Sequence, residues 1–253
     1  MKKRELMNKR MSSAVVTFGL LLSSAMVLGS PAIAQEAESV STAYSGRIGF
    51  EPPADDPYPG STRGGATRGD CQATSLMPRN GSGLTTRSRT SFYVHMARHP
   101  EATLSQALLM LKADDKSEHY EAFIDLPEDN LSQPGGILEI KLPESMPDLK
   151  VGKQYSWSLI MLCNEMLIKP DSPVVGGGVR RVAASLESTV PVGMTLSDKA
   201  IAYGEAGLWY DLLSTLLPVQ SGAPEYEEFR SALKNILVEE GISEEVSEAA
   251  FIR

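Results

Sequence analysis

Cysteine and histidine are scarce in this 253-residue chain, and the scarcity closes off several chemistries. Cys71, Cys163, His95, His99 and His119 are too few and too scattered for the four-ligand sets of structural zinc. His95 and His99 share a strand face, but no Asp, Glu or Cys stands beside them at metal spacing and Pro100 ends the run, so ordinary strand residues are expected there. Asp55-Asp56 and Asp114-Asp115 lack calcium-loop spacing. Positive charge is short as well: 24 basic against 32 acidic side chains give a net charge of −8, which argues against nucleic-acid or anionic-membrane binding. No nucleophile elbow, phosphate loop or zinc-binding helix occurs. Ser231-Ala232-Leu233-Lys234 matches S-x-x-K without the S-D-N or K-T-G that should follow, and is read as accidental. Gly176-Gly177-Gly178 lacks the context of a dinucleotide fingerprint and reads as a turn or bulge. No catalytic, cofactor-binding or metal-ligating residue is therefore assigned, and no cofactor is expected.

What is present begins with an export signal. Lys2, Lys3, Arg4, Lys9 and Arg10 form a basic start, Ala14 to Gly29 carries no charge, and Ala32-Ile33-Ala34 supplies small residues for cleavage after Ala34. Residues 1–34 are accordingly expected to be a signal peptide, and no later apolar run reaches the roughly 20 residues of a membrane span. The chain is expected to be exported, periplasmic or extracellular. Five basic residues and one acidic residue leave with the signal, taking the net charge from −8 to −12. Residues 35–70, rich in Pro, Gly and Ser, read as a disordered linker.

From Thr90 to about Ser185 short alternating runs separated by Pro and Gly predict six strands, with a seventh near Gln72 to Leu76. The expected fold for residues 71–190 is an antiparallel β-sandwich of immunoglobulin or fibronectin type. Leu149, Gly152 and Tyr155 stand at tyrosine-corner spacing before Trp157, and period-two alternation turns Trp157, Leu159, Met161 and Cys163 inward. The opposite face, from Ser156 to Leu162, should be covered at its apolar end by the C-terminal segment. In residues 196–253 the period becomes helical: Ser197 can cap a first helix that Gly207 ends, Trp209 to Leu217 forms a second, and Glu225 to Glu240 a third. Of the adjacent pair Trp209 and Tyr210, one is expected to be buried and the other exposed. Ala200, Tyr203, Gly207, Trp209, Leu212 and Leu216 resemble the inner half of a tetratricopeptide repeat, so the class is mostly β with a helical-hairpin appendage.

The chain also resembles a family known as domain of unknown function number 928, found in exported cyanobacterial proteins. The resemblance is carried by Gly64-Gly65-Ala66-Thr67-Arg68-Gly69-Asp70-Cys71, by Gly83-Leu84-Thr85-Thr86 with Phe92-Tyr93, by Val151 to Trp157 ending at Cys163, and by Tyr203 with Gly207-Leu208-Trp209-Tyr210-Asp211. The three glycines between Asp171 and Arg181 depart from the pattern, where a bulkier strand is expected. The resemblance implies an architecture and no activity.

Two pairs of features carry further expectations. In an oxidising compartment the only two cysteines, Cys71 and Cys163, should form a disulfide; free thiols or a metal pair are the alternatives. Arg63, Arg68, Arg79, Arg87 and Arg89 crowd residues 61–90 against one Asp70, whereas residues 196–253 hold eleven acidic and four basic residues. The basic stretch reads as solvated surface, with Arg63, Arg68, Arg87 and Arg89 as anion contacts in the sharper reading. The expected role is a non-catalytic binding or scaffolding protein whose partner is an envelope protein or glycan. The alternative is an extracytoplasmic hydrolase of an envelope polymer. A pocket with two carboxyl groups about 5–10 Å apart would mark the hydrolase, and an exposed aromatic patch the binding protein.

Overall fold

The computed structural model describes residues 47–53, 65–66, 71–98, 101–127, 135–164, 167–183 and 194–252, all within one compact unit, Ser41–Arg253. The expected signal peptide and most of the expected linker lie outside the described residues. Two five-stranded sheets face one another. The first has the order β1 (Gly65–Ala66), β2 (Cys71–Ser75), β4 (Ser91–Arg98), β7 (Gly136–Lys141) and β10 (Ala250–Ile252). The second runs β3 (Ser82–Thr85), β9 (Val174–Arg181), β8 (Gln154–Cys163), β5 (Leu104–Ala113) and β6 (His119–Asp125). Four helices follow β9: α1 (Leu196–Glu205), α2 (Trp209–Leu216), α3 (Tyr226–Glu239) and α4 (Glu244–Glu248).

The expected alternation of β8 holds through Met161: Tyr155, Trp157, Leu159 and Met161 are buried while Ser156, Ser158 and Ile160 are partly exposed, but at the end of the strand Leu162 is buried and Cys163 partly exposed. Trp157 meets the first sheet through Phe92, stacked at 4.6 Å. The wholly antiparallel arrangement does not hold, because β3 pairs with β9, and β10 with β7, in parallel. Neither β3 nor β10 shows a period in the sequence. β3 is four residues buried on both faces, and β10 arrives from α4, so its direction follows the helices rather than a hairpin turn.

Gly176-Gly177-Gly178 forms regular strand in β9, paired in unbroken register with Ser158, Trp157 and Ser156, and not a turn or bulge. A Cβ at Gly176 would sit 2.3 Å from the Trp157 carbonyl oxygen, and one at Gly177 2.7 Å from the Met77 side chain. The missing side chains let Trp157 and Met77 fill the space where a bulkier strand is expected.

The helices pack on a different face from the one anticipated. The outer face of β8 is partly exposed at Ser156, Ser158 and Ile160 and buried at Leu162, whereas β4 is buried on both faces, with α2 against it and β10 completing the same sheet. The cap of α1 is Thr195, not Ser197. Thr195 Oγ1 accepts from the Asp198 amide at 3.1 Å while the Asp198 carboxylate accepts from the Thr195 amide, the reciprocal pair of a capping box. Gly207, at φ +67°, ends α1. Its amide donates to the Gly204 carbonyl and that of Leu208 to the Tyr203 carbonyl, a Schellman closure that turns the chain into α2.

Part of the expected disordered linker is ordered structure. Ile48 is buried, the Phe50 ring meets Trp209 edge-on at 4.7 Å, and the Glu51 amide donates to the Gly204 carbonyl at 3.0 Å. Two isolated apolar residues among Pro, Gly and charge have no period to read. They become core only because the α1–α2 turn offers them a surface.

Candidate functional site

Two of the motif segments, Gly83 to Thr86 and Gly207 to Asp211, meet at the start of α2. Trp209 and Tyr210 enter the core together, so the expected division into one buried and one exposed ring is corrected: both are at most 1% exposed. Adjacent helical positions diverge by about 100°, yet α2 touches β3 of one sheet and β4 of the other, and both directions lead into protein. Trp209 Nε1 donates to the Leu76 carbonyl at 2.9 Å. The Tyr210 hydroxyl accepts from Trp157 Nε1 and donates to the Gly178 carbonyl, each at 2.8 Å. Gly83 is required beneath them, since a Cβ there would lie 2.9 Å from the Tyr210 ring.

Asp211 is buried beside this wedge. Its carboxylate accepts from the Thr86 amide and hydroxyl, both at 3.0 Å, and lies 3.4 Å from Arg87 Nε. Arg79, from the same basic stretch, reaches the end of α3: its backbone amide donates to the Glu240 carboxylate at 2.6 Å and its guanidinium to the Glu239 carbonyl, at the negative end of that helix. The charge asymmetry along the chain is thus partly complementary within the fold, which the sequence reading as solvated surface did not anticipate. Arg89 spends its guanidinium on the protein itself, donating to the Met146, Leu142 and Pro143 carbonyls and to Asp148, the last at 3.0 Å. Those bonds replace the anion contact expected of Arg89. Arg63 and Arg68 lie outside the described residues, as does His99.

In the segment expected to form a tyrosine corner, Leu149 is buried, Gly152 takes φ +76°, and the Tyr155 hydroxyl accepts from the Lys150 amide at 3.4 Å. The same hydroxyl donates to Glu118 at 3.3 Å, and the other Glu118 oxygen accepts from Lys150 Nζ at 2.5 Å and Lys153 Nζ at 2.6 Å. Bonds from Lys150 and then Lys153 hold the Glu118 carboxyl well down, at about 2. A carboxyl depressed in the folded state stabilises it above the ordinary value, and that contribution disappears as pH falls from about 4.5 toward 2. Thermal unfolding of wild type and Glu118→Gln followed from pH 6 down to about pH 2 should show the wild type losing stability more steeply below about 4.5. Parallel curves would remove Glu118 from the acid response. Little in the local sequence marks Glu118, because Lys150, Lys153 and Tyr155 lie more than 30 residues away and only Tyr120 bonds its carboxylate from nearby.

Cys71 of β2 and Cys163 of β8 form a disulfide with Cα atoms 6.3 Å apart, joining the two sheets. Three of the clefts among the described residues open around the loop from Pro218 to Gln220. One, of about 660 Å³, lies where the sheets part at their edge strands β6 and β10. Phe123, Ile124, Leu138, Phe251 and Ile252 line it, with charge from Glu139 and Lys141 alone. Phe123 is 62% exposed. The others measure about 390 Å³, beside α3 and β10, and about 520 Å³, beside α1 and α2. Each cleft has one carboxylate in its wall, Glu139, Glu248 or Glu225. None of these three assembles the two-carboxylate pair of a glycoside hydrolase. Among the described residues no group of three or more His, Cys, Asp or Glu is placed to hold a metal, and no helix is long and apolar enough to cross a membrane.

These features define a mostly-β protein of two mixed sheets with a C-terminal helical segment keyed into them by aromatic rings. The chain belongs to the family described as Domain of Unknown Function (DUF928), whose model matches residues 58–250. Comparison with curated proteins gives no match. Among solved structures, the CARDB domain of the PF1109 protein of Pyrococcus furiosus, in complex with di-metal ions, is similar at 10% identity over 49% of this chain and 99% of that one. Its TM-score of 0.24 is too low to carry an argument.

Proposed function

We propose that this is an exported, non-catalytic binding or scaffolding protein of the cell envelope, with an immunoglobulin- or fibronectin-like sandwich and a tetratricopeptide-like hairpin joined as one body. The carrying observation is the apolar cleft between β6 and β10, with Phe123 exposed at its wall. A large exposed aromatic beside an apolar concavity is the pattern of a recognition surface, and its one carboxylate suits binding better than acid–base hydrolysis. The disulfide is compatible with an oxidising compartment, and so with export. Its partner is an envelope protein or glycan.

Capture from an envelope extract with wild-type protein and with Phe123→Ser, compared side by side, tests this reading. A partner retained by the wild type and lost from Phe123→Ser is the expected result. Identical capture by both proteins, or progressive cleavage of a captured polymer, would overturn it.

A further inference from the structure

The cleft of about 520 Å³ beside α1 and α2 differs from the apolar one in having unspent polar groups. Arg87, Lys199 and Glu225 supply its charges, Tyr203 is among its neutral polar residues, and Leu196 and Val219 are among its apolar ones. Arg87 is committed only through Nε, to Asp211. Among the described residues the two terminal nitrogens of Arg87, the Lys199 ammonium and the Tyr203 hydroxyl have no hydrogen-bond or ion-pair partner.

Arg87 is also held in place. Asp211 is 1% exposed; its Oδ2 accepts from the Thr86 amide and its Oδ1 from the Thr86 hydroxyl, with Arg87 Nε 3.4 Å from that same Oδ1. A buried carboxylate restricts the swing of the guanidinium and leaves its outer edge, a planar pair of N–H donors suited to an oxyanion, facing the cleft. Asp211 offsets part of the Arg87 charge from within the core, and its charge also reaches the Tyr203 hydroxyl in the cleft wall. What the cleft itself presents is two cations against one carboxylate.

We propose that this cleft binds a small organic anion, its carboxylate or phosphate head on Arg87 and Lys199 and its apolar body along Leu196 and Val219. The volume falls within the roughly 300–1,000 Å³ of small-molecule sites. The site shares only Pro218 with the cleft proposed above for the envelope partner. It also gives Asp211 and the Thr86 segment a purpose beyond packing, as positioning residues for Arg87.

The test is isothermal titration of the purified full-length protein with decanoate, decyl phosphate, decylamine and inorganic phosphate. Decanoate or decyl phosphate should bind saturably at one site, and whichever is tighter identifies the head group. Decylamine and inorganic phosphate should bind at least about tenfold more weakly, for want of the charge match or of the apolar body. Lys199→Gln, a change at a half-buried side chain that spares the Asp211 cluster, should weaken the organic anion about tenfold with an unchanged melting temperature. Glu225→Gln should tighten it a fewfold by removing a like charge. Decylamine binding as tightly as decanoate, no binding of either anion, or full affinity in Lys199→Gln would overturn the proposal. So would anionic phospholipid vesicles retaining the protein when neither decyl anion binds. Phe123→Ser reports on the other cleft, so failure of that reading leaves this result interpretable.

Discussion

Trp209→Ala and Tyr210→Ala should each destabilise the protein by about 3–5 kcal/mol in denaturant unfolding, the range for truncating a fully buried aromatic. The two rings differ in what they leave behind. Without Trp209, the Leu76 carbonyl and the face of Phe50 lose their partner. Without Tyr210, Trp157 Nε1 loses its acceptor and the Gly178 carbonyl its donor, both in the core. Tyr210→Phe separates packing from hydrogen bonding: it keeps the ring against Phe92 and should still cost about 1–3 kcal/mol through the two stranded polar groups. A loss under about 1 kcal/mol for either alanine variant would show that the helices are not fastened to the sheets as described.

The second large effect belongs to the disulfide. The Cys71→Ser/Cys163→Ser double variant should lose about 2–5 kcal/mol, with the upper end set by the chain-entropy cost of closing a loop of this length. The sequence separation is 92 residues. Cys71 is fully buried at the start of β2, and Cys163 closes β8 in the opposite sheet, so the bond ties the sheets where the chain enters the first of them. Unfolding midpoints of wild type with and without reductant, compared with the double variant, check this. Recovery of two alkylatable thiols from the folded, unreduced protein would refute the bond, and equal midpoints would show that it does not stabilise.

What could be read from the sequence was what repeats locally. β8 alternates, so its inward face and Tyr155 were legible, and α2 and α3 showed their apolar stripes within one residue of their observed limits. The strand at Cys71 to Ser75 lay close to the position expected for a seventh. What could not be read was decided by distant partners. Ile48 and Phe50 look like linker until α1 and α2 exist to receive them. Three glycines look like a break until the Trp157 backbone and Met77 are placed over them. Arg87 read as an anion contact, but nothing near it in the chain announces Asp211, 124 residues later, which fixes its guanidinium. Tyr210 was expected to alternate with Trp209 because a single helix face was assumed, and α2 has protein on two.

The bonds that key α2 into the sheets also set the order of assembly. Thr86 and Asp211 are 125 residues apart, Trp209 and Leu76 133, and Arg79 and Glu240 161. Contacts of such span are entropically expensive to close and are associated with slow folding. Until the region around residue 210 is available, the sheets lack Tyr210 between them, Trp157 Nε1 has no acceptor, and β7 has no β10 beside it. A chain that emerges N-terminus first therefore passes through a stage with a half-filled core and an open sheet edge, the state most prone to self-association. Its last fifth is the part that makes the first four-fifths safe.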